Sequence, residues 1–136
     1  MSSAKEVAYF GVPAERSYGY AQAVKSGRTI YVSGQTASTD EATADGVGDM
    51  AAQMRQAYTK IQRVLGMFGA SMDDVVEETI FVTDMAAAVA VAGEVRHGVY
   101  GEAISVASTL CGIVQLGGPD LLVEIKCVAR IAASLD

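Results

Sequence analysis

"GVGDMAAQMRQAYTKIQRVLGMFGASMDDVVEETIFVTD", residues 46–84, changes its period partway along. As far as Phe68, the residues Val47, Met50, Met54, Tyr58, Ile61, Leu65 and Phe68 recur at three- and four-residue steps. That spacing predicts one apolar stripe of an amphipathic helix. Gln53, Arg55, Gln56, Lys60 and Arg63 occupy much of the remaining surface. Asp45 and Asp49 suit the positive end of the helix dipole, and Gly69 suits a left-handed cap. From Val75 the composition turns β-branched, and "VVEETIFVTD" predicts a strand. Asp84 can then cap a second helix running through Ala88, Val91, Ala92 and Val95.

Outward from this stretch the chain is strand-like on both sides. "YAQAVKSGRTIYVSGQTA", residues 20–37, predicts two strands around a Ser26-Gly27 turn. Ile30 and Val32 alternate with Tyr31 and Ser33, giving one apolar face and one carrying hydroxyls. Two more strands are expected over 108–116 and 121–131, with "LGGPD" as the turn between them. The order β-β-α-β-α-β-β predicts an α+β fold, a mixed sheet with two helices packed on one face. The opposite face would stay bare in a single copy.

The 136 residues form one expected domain, 1–136, with no linker or repeat. Apolar residues make up 51%, and mean hydropathy is +0.27. So small a domain cannot hide that much apolar surface within itself, which predicts self-association. The net charge is −6 and no Lys/Arg cluster stands out, so nucleic acid and anionic membrane are excluded as expected partners. No stretch approaches the ~20 apolar residues that span a bilayer, and no secretion-signal pattern opens the sequence. Cys111 and Cys127 lack metal-type spacing and read as reduced core thiols, so a cytoplasmic protein is expected. A single histidine, His97, and scattered carboxylates make no ligand set, so neither metal nor cofactor is expected.

"GYAQAV" (19–24), "IYVSGQT" (30–36), "GASMDDVVEETIFVTDM" (69–85) and "LLVEIKCVA" (121–129) together resemble the Rid family of reactive intermediate deaminases, the YjgF-like proteins. The resemblance covers nearly the whole chain. It implies a chorismate-mutase-like fold, a homotrimer, and small-molecule clefts each built from two subunits. It implies hydrolysis of reactive enamines and imines to a carbonyl compound and ammonia. By carry-over, Tyr20 would line the cleft, Ser33 and Gly34 would form its wall, and Glu124 would position the attacking water. On the residues alone, Glu124 faces away from Val123 and Ile125, toward either solvent or a cleft. Tyr18 and Tyr20 would share a face of an extended segment, with Tyr18 as an interface aromatic.

Two departures from the family pattern stand out. The strand before "VEI" opens in deaminating members with proline-alanine-arginine, the arginine gripping a substrate carboxylate; here "VASTL" puts Ser108 in that place. Ser108 and Thr109 would face a neutral or differently held ligand, or bond nearby backbone. On the second helix, Ala88 and Ala92 replace an aromatic and an asparagine. Arg16, Arg96 and His97 are the candidates for a substitute cation. Two functions follow: an enamine or imine hydrolase using Glu124, or a non-catalytic trimer that binds a small metabolite or regulates. A ribonuclease activity, also attached to the family, fits poorly with the acidic balance.

Overall fold

Asp49 and Asp84 cap helices as their positions suggest, accepting the backbone N–H of Ala52 at 3.0 Å and of Ala87 at 3.1 Å. These caps satisfy donors that the first helical turn leaves open. The computed structural model describes residues 4–133. Along the chain lie β1 (Glu6–Ala8), α1 (Pro13–Tyr18), β2 (Ala23–Ser26), β3 (Thr29–Gln35) and α2 (Met50–Gly66). A 3-10 turn (Met72–Asp74) leads into β4 (Val75–Val82), followed by α3 (Met85–Tyr100), β5 (Ala107–Gly112) and β6 (Val123–Arg130).

The six strands form one sheet in the order β1-β2-β3-β6-β4-β5. All pairs are antiparallel except β4 with β5. A parallel pair needs a crossover, and α3 provides it. Helix α2 packs on β3 and β6 and against α3. Its stripe of Met54, Tyr58, Ile61 and Leu65 is buried against Ile30, Val32, Ile80 and Ile125 of the sheet. The other sheet face carries Tyr31, Thr79, Phe81, Glu124 and Lys126, and none of these is fully buried.

Four sequence expectations need correction. The order gains β1 and the short α1, so the described residues hold three α-helices rather than two. β1 is too short to show alternation, whereas Pro13 at the first turn of α1 was a usable start signal. Tyr18 and Tyr20 do not share an extended face: Tyr18 ends α1, and Gly19 reverses the chain at φ 76°. Val47 lies before α2 and is exposed, outside the stripe. Gln53, placed on the polar side by periodicity, has no exposure at all. Its Nε2 donates to Gly46 O at 3.2 Å and Asp120 O at 2.9 Å, and its Oε1 accepts Leu122 N–H at 2.9 Å. One amide thus ties α2 to the entry of β6.

Gln53→Leu keeps the volume and removes all three bonds. It is expected to cost about 2–4 kcal/mol in urea unfolding, because the Leu122 N–H loses its partner inside the protein.

Candidate functional site

A bulge in β3 shapes the candidate site. β3 and β6 are in register through Val32↔Cys127 and resume at Gln35↔Ile125, so β3 carries one extra residue. Ser33 and Gly34 absorb it. Such a bulge re-aims side chains and is common beside functional sites. The Glu124 side chain lies across Gly34 so closely that a Cβ there would collide with its Cγ, Cδ and Oε2. Any larger residue at 34 would require the Glu124 side chain to move aside.

Glu124 is half-buried on the sheet face that carries no helix. Burial raises its pKa, partly offset by the charge of Lys60 on α2. The described residues give it no hydrogen-bond partner. Lys60 donates to Ser38 O at 3.0 Å. Burial holds the lysine below its usual pKa, opposed by Asp40 and Glu124 and assisted by Arg63.

An open groove of about 710 Å³ lies around α1, lined by Tyr9, Val12, Arg16, Tyr20 and Ala21 among others. Glu124 does not line it. The link is Ala21, whose carbonyl accepts Ser33 Oγ at 2.6 Å. Below the groove runs a buried polar chain. Glu15 accepts the N–H groups of Phe10 at 2.6 Å and Gly11 at 3.0 Å, and Gln22 Nε2 at 2.8 Å. Gln35 Nε2 then donates to Gln22 Oε1 at 2.9 Å and to Ser33 O at 3.1 Å. Burial alone would raise the Glu15 pKa, but these donors outweigh it and the net shift is downward. The chain of bonds fixes the bulge relative to α1.

Both donors of Ser33 are taken up within the chain. Its hydroxyl is given to Ala21 O, and its N–H to Gln22 O at 2.8 Å.

Ser108 and Thr109 part company. Ser108 pairs with Glu78 and lies on the helix-covered side; Thr109 pairs with Thr79 on the side of Glu124. Both are exposed on the edge strand β5. Ser108 Oγ donates to Glu78 Oε2 at 2.6 Å. Glu78 is 1% exposed, and its other oxygen accepts the hydroxyls of Tyr58 and Tyr100, each at 2.7 Å. Arg96 Nε stands 3.0 Å from Oε2. Its N–H is not aimed at an acceptor, so this is an ion pair by proximity rather than a hydrogen bond. Burial and the Glu78 charge push both tyrosines above the usual phenol range. The same two causes push the Cys127 thiol up to about 12.

The structure therefore sets Glu124 against Gly34, ties Ser33 to Ala21 at the groove that Tyr20 lines, and leaves Ser108 and Thr109 two strands away from Glu124. Of the candidate cations, Arg16 lines the groove and Arg96 is matched by Glu78. His97 is an exposed end of α3 with Nδ1 3.2 Å from Gly101 O. Sequence reading missed Glu78, Lys60 and the Glu15–Gln22–Gln35 chain. The pair Glu77-Glu78 did hold a signal, since adjacent strand residues point to opposite faces and one had to enter the core. No group of three or more His, Cys, Asp or Glu among the described residues is placed to hold a metal ion.

The sequence model of the family described as endoribonuclease L-PSP matches residues 13–131. The RutC family protein YjgH of Escherichia coli is 30% identical over 112 residues, covering 82% of each chain. The 3-aminoacrylate deaminase RutC of Acinetobacter baylyi is 33% identical over 114 residues, covering 82% of this chain and 86% of its own. The crystal structure of Rv2704 from Mycobacterium tuberculosis, described as a member of the YjgF/YER057c/UK114 family, superposes with a TM-score of 0.82. It is 34% identical, and the match covers 94% of this chain and 100% of that one.

A carboxyl whose folded pKa is raised stabilises the fold below its unfolded pKa and loses that contribution as pH rises through the folded value. Glu124→Gln is therefore expected to raise the melting temperature near about pH 7, with the gain closing near about pH 3, where both side chains are neutral. Paired thermal melts at the two pH values check this.

Proposed function

This chain belongs to the endoribonuclease L-PSP family, with YjgF and RutC proteins among its relatives, and on that premise we propose that it is a Rid-type deaminase. Its α+β, chorismate-mutase-like fold is that of its structural relatives. On this reading it hydrolyses a small enamine or imine to a carbonyl compound and ammonia, with Glu124 orienting the water.

The observation that carries the reading is the state of Glu124. It is half-buried with a raised pKa, laid against a glycine, and unbonded among the described residues. A carboxylate so placed can hold a water and exchange protons with it. An enamine first takes a proton at carbon to become the protonated imine. Water then attacks the imine carbon: a C–O bond forms, the C=N π pair moves to nitrogen, and Glu124 takes the water's proton. Returning that proton to nitrogen makes ammonia the leaving group: the C–N bond breaks with its pair going to nitrogen, an oxygen lone pair closes the C=O bond, and the hydroxyl proton passes to Glu124, leaving the carbonyl. The deaminase named among the relatives acts on an aminoacrylate, which supports this reaction class.

Within one copy the β5 edge and Glu124 lie two strands apart, roughly 10 Å across the sheet. The cleft is completed when a neighbouring copy brings its β5 edge to the Tyr20–Ser33–Glu124 group, as in the homotrimer that the resemblance implies. The exposed Tyr31, Ile104 and Val114 are apolar surface that such packing would cover. A binding-only trimer is the second reading. It is favoured by Ser108, which has no guanidinium to offer and gives its own proton to Glu78. RNA cleavage is disfavoured by a net charge of −6.

Ammonia release from enamines generated in solution tests the proposal. Wild type is expected to exceed buffer, and Glu124→Gln to lower kcat by about 100-fold. Equal rates for the two proteins would remove Glu124 from the chemistry.

A further inference from the structure

Two hydroxyls stand at the proposed cleft, and the structure shows where each sends its proton. Ser33 Oγ donates to Ala21 O at 2.6 Å. Ser108 Oγ donates to Glu78 Oε2 at 2.6 Å. A serine has one donor and two lone pairs, so each oxygen is left with acceptor capacity only. The Glu124 carboxylate is likewise an acceptor. Ser108 is held in this role by a buried acid whose remaining capacity is filled by Tyr58 and Tyr100, so its hydroxyl has no cheap way to turn around. A bond to a charged acceptor also polarises the hydroxyl, which strengthens its lone pairs toward a further donor.

We propose that the cleft selects ligands bearing N–H donors, such as a carboxamide or an amino group, and discriminates against a carboxylate at the position where β5 meets the ligand. This rests on the deaminase reading only in placing the β5 edge in the cleft. A carboxylate arriving at Ser108 would meet lone pairs and no free donor, because the hydroxyl proton is committed to Glu78. Arg96 does not reverse this, because its charge is matched one to one by Glu78. An amide N–H finds an acceptor there at once. The specificity residue is Ser108, and Glu78 positions it by taking its proton.

Binding of pyruvamide and pyruvate, the amide and acid of one carbonyl compound, tests this by ligand-observed NMR on the intact protein, independently of turnover. Pyruvamide is expected to bind about fivefold more tightly, the worth of one neutral hydrogen bond. Ser108→Ala, at an exposed edge position, is expected to abolish that preference while the protein stays folded. Glu78→Gln, which can donate to Ser108 and free its proton, is expected to shift the ratio toward pyruvate. Tighter or equal binding of pyruvate to wild type would overturn the inference, the former assigning the anion to Arg16 in the groove. An unchanged ratio in Ser108→Ala, or no binding of either probe, would overturn it too. Loss of the deaminase reading would show instead in the ammonia assay.

Discussion

A carboxylate with almost no exposure must find its donors inside the protein, and Glu78 finds them on three other elements. Tyr58 donates from α2, Tyr100 from α3 and Ser108 from β5, while Arg96 of α3 adds its charge alongside. An unsatisfied buried charge would cost several kcal/mol, so the four partners and the carboxylate are fixed together or not at all. The arrangement ties both long helices to the β4–β5 pair at one point. It also holds β5, a parallel edge strand with exposed residues on both faces, against the rest of the sheet. Tyr58 and Tyr100 meet edge to face, with ring centroids 5.8 Å apart, which limits how either can turn.

That single constraint separates the two halves of the site. On the helix side Ser108 is drawn inward to Glu78. On the bare side Glu124 sits over Gly34, fixed by a bulge that the Glu15–Gln22–Gln35 chain of hydrogen bonds holds in place. The two halves belong to one sheet yet do not meet within it. The shared cleft that we propose between copies would reconcile them and give the bare face something to pack against. The Ser108 position on β5 is occupied by a hydroxyl that a buried acid has given a defined polarity.

The periods of the sequence carried the fold. The three- and four-residue stripe of α2, the β-branched run of β4 and the Asp caps at 49 and 84 appear where physical pattern predicts them. β1 and α1 were missed because three or six residues hold too little of any period. Gln53 shows a different limit: a polar residue at a polar-looking position can be buried when its three bonds are supplied by distant loops. For Glu124, strand alternation made its face of the sheet legible and only the family resemblance suggested a role, whereas its contact with the bulge at Gly34 had no signal. Glu78 escaped notice because its partners come from residues 58, 96, 100 and 108. No local pattern records such a convergence.

The most direct test of the account is the mass of the native protein in solution, because a cleft shared between copies requires more than one of them. Sedimentation velocity at low micromolar concentration should return three chains per particle. A particle of one chain would contradict the account, since Glu124 and Ser108 would then have no common ligand to hold.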